Sequence, residues 1–145
     1  MAVRIVIADD HSQFRETVRN LLSFKFKGEY VVIAETANGQ ETLNLIPPHD
    51  PDILLLDYHL PGLGRLSDFC NELSRRSPST KILILSGSAE EEFAREAGLA
   101  GAKGYVVKGA SAADLGKALT AVQAGGIWID PCLPIEVTGS FLHKS

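Results

Sequence analysis

Four consecutive aliphatic residues and an aspartate, Ile53-Leu54-Leu55-Leu56-Asp57, form the most informative stretch of this sequence. Because every position before the aspartate is apolar, rather than every second one, the run predicts a strand covered on both faces, as in a parallel sheet. Pro61-Gly62 marks a loop shortly after it. Four similar apolar runs lie on either side, at residues 3–8, 30–34, 82–85 and 105–107.

Amphipathic helical patterns separate these runs. After the run at 53–57, Leu66, Phe69, Cys70 and Leu73 follow the i, i+3, i+4, i+7 spacing of a helix. The helix after the second run is predicted to end at Pro47-Pro48, since proline breaks a helical hydrogen bond. Five strands alternating with five helices predict an α/β fold, a doubly wound five-stranded parallel sheet with helices on both faces.

Composition limits the classes of protein that the chain can form. With 145 residues, 45% of them apolar, it can build one domain with its own core. Ordinary apolar content and a small net charge of −4 together exclude an intrinsically disordered chain, and a mildly acidic chain is a poor non-specific binder of nucleic acid. No stretch approaches 18 consecutive apolar residues, so we expect no membrane span and a cytoplasmic location. We expect one domain over residues 1–126 and a linker or extension over residues 127–145.

Reactive side chains collect where the predicted strands end. Asp9 and Asp10 follow the first run, Asp57 ends the third, and Ser86 and Lys108 end the fourth and fifth. Parallel strands present their carboxyl ends at one edge, so these residues should share a pocket. Three carboxylates need a cation, and oxygen ligands favour Mg²⁺. A hydroxyl and an ammonium facing such a metal suit phosphoryl transfer to an aspartate.

These residues carry a resemblance to a known family. The family's receiver motifs occur here in order at strand ends: Asp9-Asp10, Asp57 followed by Leu60-Pro61-Gly62, Ser86-Gly87, and residues 104–108. Over about residues 3 to 126 the chain resembles the receiver domain of two-component response regulators. Residues 104–110 and 121–126 are similar to those of NarL/LuxR-like regulators. The resemblance implies a flavodoxin-like three-layer sandwich that acts as a regulatory phosphoacceptor, not as a metabolic enzyme.

The resemblance also implies a metal site and a phosphoacceptor. Asp57 would accept a phosphoryl group from a sensor histidine kinase or a phosphotransfer protein. Asp10, Asp57 and the backbone carbonyl of His59 would hold Mg²⁺ directly, and Asp9 would hold it through water.

A second group of residues would respond to the phosphoryl group. Lys108 would contact its oxygens, Ser86 would move toward it, and Tyr105 would swing inward behind Ser86. The side chains of His59 and Ser88, each two residues beyond a site residue, are expected to tune the attack of water on the aspartyl phosphate.

The output and several alternatives stay open at this point. NarL/LuxR-like regulators continue into a helix-turn-helix DNA-binding domain, but only residues 127–145 follow here. The chain is therefore either cut in the linker or a stand-alone receiver, and it could pair as a homodimer. One alternative is a degenerate receiver that acts by protein contacts alone. Another is a magnesium-dependent aspartyl-phosphate phosphatase, although His59 stands where that class needs a second aspartate. A flavin-binding module would need a phosphate loop rich in Ser, Thr and Gly after the first strand, and none is present.

Overall fold

Six parallel strands form one sheet, in the order β2-β1-β3-β4-β5-β6. The computed structural model describes residues 2–142. Among these residues, no helix is both long enough and apolar enough to cross a membrane. Along the chain, the elements are β1 (Val3–Ala8), α1 (Ser12–Lys25), β2 (Tyr30–Thr36), α2 (Gly39–His49), β3 (Ile53–Asp57), α3 (Leu66–Arg76), β4 (Lys81–Ser86), α4 (Glu91–Ala100), β5 (Gly104–Val107), α5 (Ala112–Gln123), β6 (Trp128–Ile129), a 3-10 turn (Ile135–Val137) and α6 (Thr138–Phe141).

The sheet has one strand more than the five expected. The extra strand β6 pairs with β5 and lies in the segment interpreted as a linker or extension. The Trp128 N–H donates to the Lys103 carbonyl at 3.0 Å, and the Asp130 N–H donates to the Tyr105 carbonyl at 2.9 Å. Two residues are too few to show a periodic pattern, and their pairing depends on a free edge of β5. The strand therefore could not be predicted from local sequence.

The sheet lies between two separate hydrophobic cores, as the alternation of apolar runs and helical patterns in the sequence predicted. Ile53 and Leu55 of β3 belong to the core under α1 and α5. Leu54 and Leu56 belong to the core under α2, α3 and α4. All four side chains have no exposed surface, which explains why β3 is apolar at every position.

The strand order places a crevice above β1 and β3. From β1 the chain moves outward to β2, and it then crosses back to β3 on the other side of β1. Ligands of doubly wound sheets bind at this reversal, beyond the carboxyl ends of the strands. The residues that follow β1 and end β3 are therefore in the position to form a site.

The prediction that Pro47-Pro48 stops the second helix is wrong. Helix α2 continues through both prolines to His49 and ends where Asp50 adopts a left-handed conformation with φ 44°. Pro47 has no N–H for the carbonyl of Leu43, and Arg76 Nη1 of α3 lies 3.4 Å from that oxygen as a donor. A long contact from a neighbouring helix thus reaches one of the two carbonyls that the prolines leave without a helical donor.

Candidate metal centre

The ends of β1 and β3 bring three carboxylates together. Ala8 of β1 pairs with Leu56 of β3, so the next residue of each strand, Asp9 and Asp57, stands at the same level of the sheet. One potential ligand atom from each of the clustered residues lies within 4.8 Å of all the others; these residues are Asp9, Asp10, His11 and Asp57. The structure therefore brings together the three acidic residues predicted from the sequence.

Lys108 lies between two of these carboxylates. Its Nζ is 2.5 Å from Asp9 Oδ2 and 3.5 Å from Asp57 Oδ2, and its side chain is 18% exposed. The same ammonium lies 4.5 Å from the centre of the Phe14 ring, within range of a cation–π contact. Asp9 is completely buried, and its other oxygen accepts a hydrogen bond of 2.8 Å from the backbone N–H of His11.

Asp57 is buried, with 4% of its surface exposed. Its Oδ1 accepts a hydrogen bond of 3.1 Å from the backbone N–H of His59. Burial is the main cause that raises the pKa of Asp57, and the negative charge of Asp9 raises it further. The His59 N–H and the Lys108 ammonium lower this pKa without reversing the shift. One ammonium therefore leaves an excess of negative charge among the three carboxylates.

The donor set and this charge excess fit a magnesium ion. Carboxylate oxygens are the hard ligands that Mg²⁺ takes, and Mg²⁺ usually keeps several waters in its coordination sphere. Asp10 is exposed, so the cluster is open to solvent on that side. Nothing in the cluster tests the expected ligand role of the His59 carbonyl, which stays a prediction.

Ser86 and Lys108 end the two strands beyond β3. Asp57 pairs with Leu85 in the β3–β4 ladder, so Ser86 lies one residue further toward the carboxyl edge. The Ser86 side chain is buried, and its Oγ accepts a hydrogen bond of 3.1 Å from the Ser88 N–H. The Lys108 N–H donates to the Ser86 carbonyl at 2.6 Å, which joins the two strand ends.

Tyr105 already occupies a fully buried position. Its side chain has no exposed surface and packs in the same core as Val137 and Phe141 of the C-terminal segment. Its hydroxyl donates a hydrogen bond of 2.7 Å to the Ser88 carbonyl, and burial raises its pKa. The inward position expected after phosphorylation is thus the one in this structure, and the role of Tyr105 as a switch stays a prediction.

Aromatic contacts tie the loop after Asp57 to α4. Tyr58 stacks on Phe93 with ring centres 4.6 Å apart, and its hydroxyl donates to Glu96. The His59 ring meets Tyr58 and Phe93 edge-on, at 4.9 and 5.3 Å. These contacts hold the His59 ring against Tyr58 and Phe93, while its effect on water attack, like that of Ser88, stays a prediction.

Sequence reasoning missed two residues at this site. His11 Nδ1 lies 3.1 Å from Asp9 Oδ1 and 3.2 Å from Asp10 Oδ1. Arg15 Nη1 donates a hydrogen bond of 2.5 Å to the backbone carbonyl of Asp9. The available signal was position, since His11 follows the acidic pair directly and Arg15 lies one helical turn further along α1.

Comparisons with known proteins agree with this geometry. The family model described as "Response regulator receiver domain" matches residues 5–120. The chain is 33% identical over 129 residues to the transcriptional regulatory protein DegU of Brevibacillus brevis, covering 89% of this chain and 53% of DegU. It is 34% identical over 129 residues to the nitrate/nitrite response regulator protein NarL of Escherichia coli strain K12, covering 89% of this chain and 58% of NarL.

Comparison with a solved structure also identifies a response regulator. A two-component response regulator of the LuxR family from Aurantimonas sp. SI85-9A1 matches with a TM-score of 0.84 and 31% identity, covering 99% of this chain and 100% of that one. The chain spans between 53% and 65% of the length of the first curated relatives that it matches. Because the family match spans most of the chain and these relatives are of the NarL/LuxR type, this chain belongs to the response regulator receiver domain family, in its NarL/LuxR branch.

Proposed function

We propose that this chain is a phosphoacceptor switch in which Asp57 receives a phosphoryl group from the phosphohistidine of a sensor histidine kinase or of a phosphotransfer protein. One carboxylate oxygen of Asp57 forms a bond to phosphorus while the bond between phosphorus and the imidazole nitrogen breaks, and the histidine leaves. The observation that carries this proposal is the position of Lys108 Nζ, 2.5 Å from Asp9 and 3.5 Å from Asp57. An ammonium there can contact the oxygens of a phosphoryl group on Asp57.

We assign the metal ligands of this reaction as follows. Asp10, Asp57 and the backbone carbonyl of His59 would hold Mg²⁺ directly, and Asp9 would hold it through water. When bound, the ion would supply positive charge that offsets the charge of the transferring phosphoryl group. Lys108 holds the Asp9 carboxylate in place through their ion pair, and the surrounding burial limits access of water to Asp57.

We assign the response to phosphorylation to Ser86 and Tyr105. The Ser86 hydroxyl, which now accepts from the Ser88 N–H, donates to a phosphoryl oxygen. That change alters the Ser86–Ser88 turn, on which the Tyr105 hydroxyl also depends through the Ser88 carbonyl. New hydrogen bonds at the phosphoryl group thereby shift the population between two arrangements of β4, β5 and α4.

The relatives indicate an output in transcription. DegU is named a transcriptional regulatory protein and NarL a nitrate/nitrite response regulator, and both are longer than the stretch matched here. We therefore propose a cytoplasmic receiver, residues 1–126, whose extension at 127–145 connects it to a DNA-binding part outside this chain. DNA is then contacted only through that part, and phosphorylation acts on it directly or through a homodimer.

Intact-mass measurement tests the phosphoacceptor role. Incubation with Mg²⁺ and acetyl phosphate is expected to add one phosphoryl group to the chain and to Asp68→Asn, an exposed control on α3. The adduct is expected to be lost in Asp57→Asn and in the presence of EDTA. A degenerate receiver would give no adduct in any variant, and a phosphatase would release phosphate without accumulating one. Either result, or an adduct that persists in Asp57→Asn, would refute the proposal.

A further inference from the structure

An irregularity in β2 changes which way its last residues point. In the ladder with β1, Ile5 pairs with Val32 but Val6 pairs with Ala34, so Ile33 is an extra residue, a β-bulge. Ile33 and Ala34 both pack against the core under α2, α3 and α4, although neighbouring strand residues normally face opposite sides. Bulges of this kind re-aim side chains and are frequent beside active sites.

The bulge directs Glu35 toward α1. Glu35 pairs with Ile7, which faces the core under α1 and α5, so both side chains point to that layer. Without the extra residue, Glu35 would pair with Ala8 and point to the opposite layer. In its actual position Glu35 accepts from two arginines of α1: Arg15 Nε at 2.9 Å through Oε1, and Arg19 Nη1 through Oε2.

Arg15 connects Glu35 to the acidic pair Asp9-Asp10. While its Nε donates to Glu35, its Nη1 donates to the backbone carbonyl of Asp9, and its side chain is only 19% exposed. That carbonyl belongs to the planar peptide that joins Asp9 to Asp10. The Asp9 N–H donates to the carbonyl of Thr36, also on β2, at 3.0 Å. Both sides of the Asp9 backbone are therefore held, one by β2 directly and the other by β2 through Arg15.

We propose that the bulge at Ile33, Glu35 and Arg15 together hold the Asp9–Asp10 peptide in the orientation that the metal site needs, which makes Arg15 a positioning residue for Mg²⁺ binding. This inference rests on the proposed function, because it assigns a role toward the metal of that site. Arg15 does not touch the ion; it acts through the carbonyl of Asp9. Residues that orient metal ligands in this way typically change metal affinity by about 10-fold or more when they are replaced.

Arg19 provides a matched control in the same helix. Arg19 contacts the same carboxylate as Arg15, and its hydrogen bond goes to Glu35 rather than to Asp9. Arg15→Met and Arg19→Met each remove one positive charge and one contact to Glu35, but only the first removes the bond to the Asp9 carbonyl. Isothermal titration calorimetry of the full chain with Mg²⁺ alone is expected to show a Kd for Arg15→Met about 10-fold higher than that of the wild type. For Arg19→Met the expected change is below about 2-fold, as for a surface ion pair.

Two further variants separate positioning from charge and from folding. Arg15→Lys keeps the charge, but a single ammonium cannot reproduce the fork that reaches both Glu35 and Asp9, so we expect its Mg²⁺ affinity to resemble that of Arg15→Met. Should Arg15→Met fail to fold, Glu35→Gln tests the contact between Glu35 and Arg15 instead. We expect its loss of Mg²⁺ affinity to lie between those of Arg15→Met and Arg19→Met. Thermal unfolding of each metal-free variant shows whether a change in affinity follows a loss of stability.

The possible results distinguish this inference from the proposed function. If the wild-type chain binds no Mg²⁺ and accepts no phosphoryl group, both fail. If the wild type binds Mg²⁺ and is phosphorylated, but Arg15→Met matches Arg19→Met, only the positioning role is refuted. Wild-type affinity in Arg15→Lys would also refute it, since charge alone would then suffice.

Discussion

At the level of single residues, the ionisation of Asp57 lowers the stability of the folded protein. Burial, and then the charge of Asp9, raise the pKa of this carboxyl group from its ordinary value of 3.8. In the unfolded chain the group therefore releases its proton at lower pH than in the folded protein. Stability from this group is fully present below pH 3.8 and is lost as the pH rises through the folded pKa.

Asp57→Asn is accordingly expected to stabilise the metal-free protein. In the wild type, the single ammonium of Lys108 faces the carboxylates of both Asp9 and Asp57, and the amide removes one of these two buried negative charges. At neutral pH we therefore expect the unfolding midpoint to rise by about 2–4 °C. The decline in stability from acidic to neutral pH should also be shallower than in the wild type. Calorimetry in EDTA at several pH values measures both effects, with Asp68→Asn as the control. A midpoint at or below that of the wild type would contradict the electrostatic account.

At the level of elements, the segment after α5 is built into the packing of α4. Val137 is completely buried and Phe141 is 5% exposed, in the same core as Ala94 and Ala97 of α4. Small residues on α4 allow this approach, and Gly98 is one of them: a Cβ built there would lie 2.7 Å from Phe141 Cδ1. A glycine inside a helix costs about 1 kcal/mol relative to alanine, so its presence here is explained by the contact.

Gly98→Ala tests this contact. Its Cβ would also lie 2.8 Å from the backbone carbon of Ser140, which can move only with the α6 backbone. Although alanine favours the helix, we expect a net loss of about 1–3 kcal/mol in the free energy of unfolding. Gly139→Ala in α6 is the matched control, because a Cβ there meets no atom within 4 Å. Urea unfolding of both variants compares the two, and equal stabilities would show that α6 does not pack closely on α4.

Asp130 attaches the same segment to β5. Its Oδ2 accepts from the Val107 N–H and its Oδ1 from the Cys132 N–H, both at 3.0 Å. Burial alone would raise the pKa of Asp130, but hydrogen bonds from Cys132 and Val107 lower it below 3.8. Because the folded pKa is depressed, the stability contributed by Asp130 is present above pH 3.8 and is lost as the pH falls through the folded value.

Asp130→Asn should therefore destabilise the protein at neutral pH and matter less in acid. The amide has one acceptor oxygen for two N–H donors, and an unsatisfied donor costs about 1–2 kcal/mol. Chemical unfolding at neutral pH and near pH 3 is expected to show that loss shrinking at the lower pH. A constant difference between variant and wild type would mean that the charge of Asp130 has no part in holding β6.

For the whole molecule, the predictable features are those that depend on local pattern and on general topology. Parallel strands must end at one edge, so the meeting of Lys108 with the carboxylates followed from the order of the apolar runs. The sixth strand, the continuation of α2 through Pro47-Pro48 and the bulge at Ile33 depend on neighbours distant in the chain. The contact of His11 with the acidic pair was not predicted, because it depends on the orientation of an exposed ring, which residue spacing does not specify.

Magnesium binding should stabilise the molecule as one unit, because β1 and β3 belong to the sheet that both cores share. A ligand that binds only the folded state adds about 2.7 kcal/mol at 100 times its Kd. We expect Mg²⁺ to raise the unfolding midpoint, EDTA to reverse the rise, and Asp10→Asn to abolish most of it, while Asp68→Asn keeps it. Trp128 fluorescence reports on β6 and far-ultraviolet circular dichroism on the whole chain. If the metal-induced shifts measured by the two probes differ, residues 127–142 unfold separately and are not part of the unit that the metal stabilises.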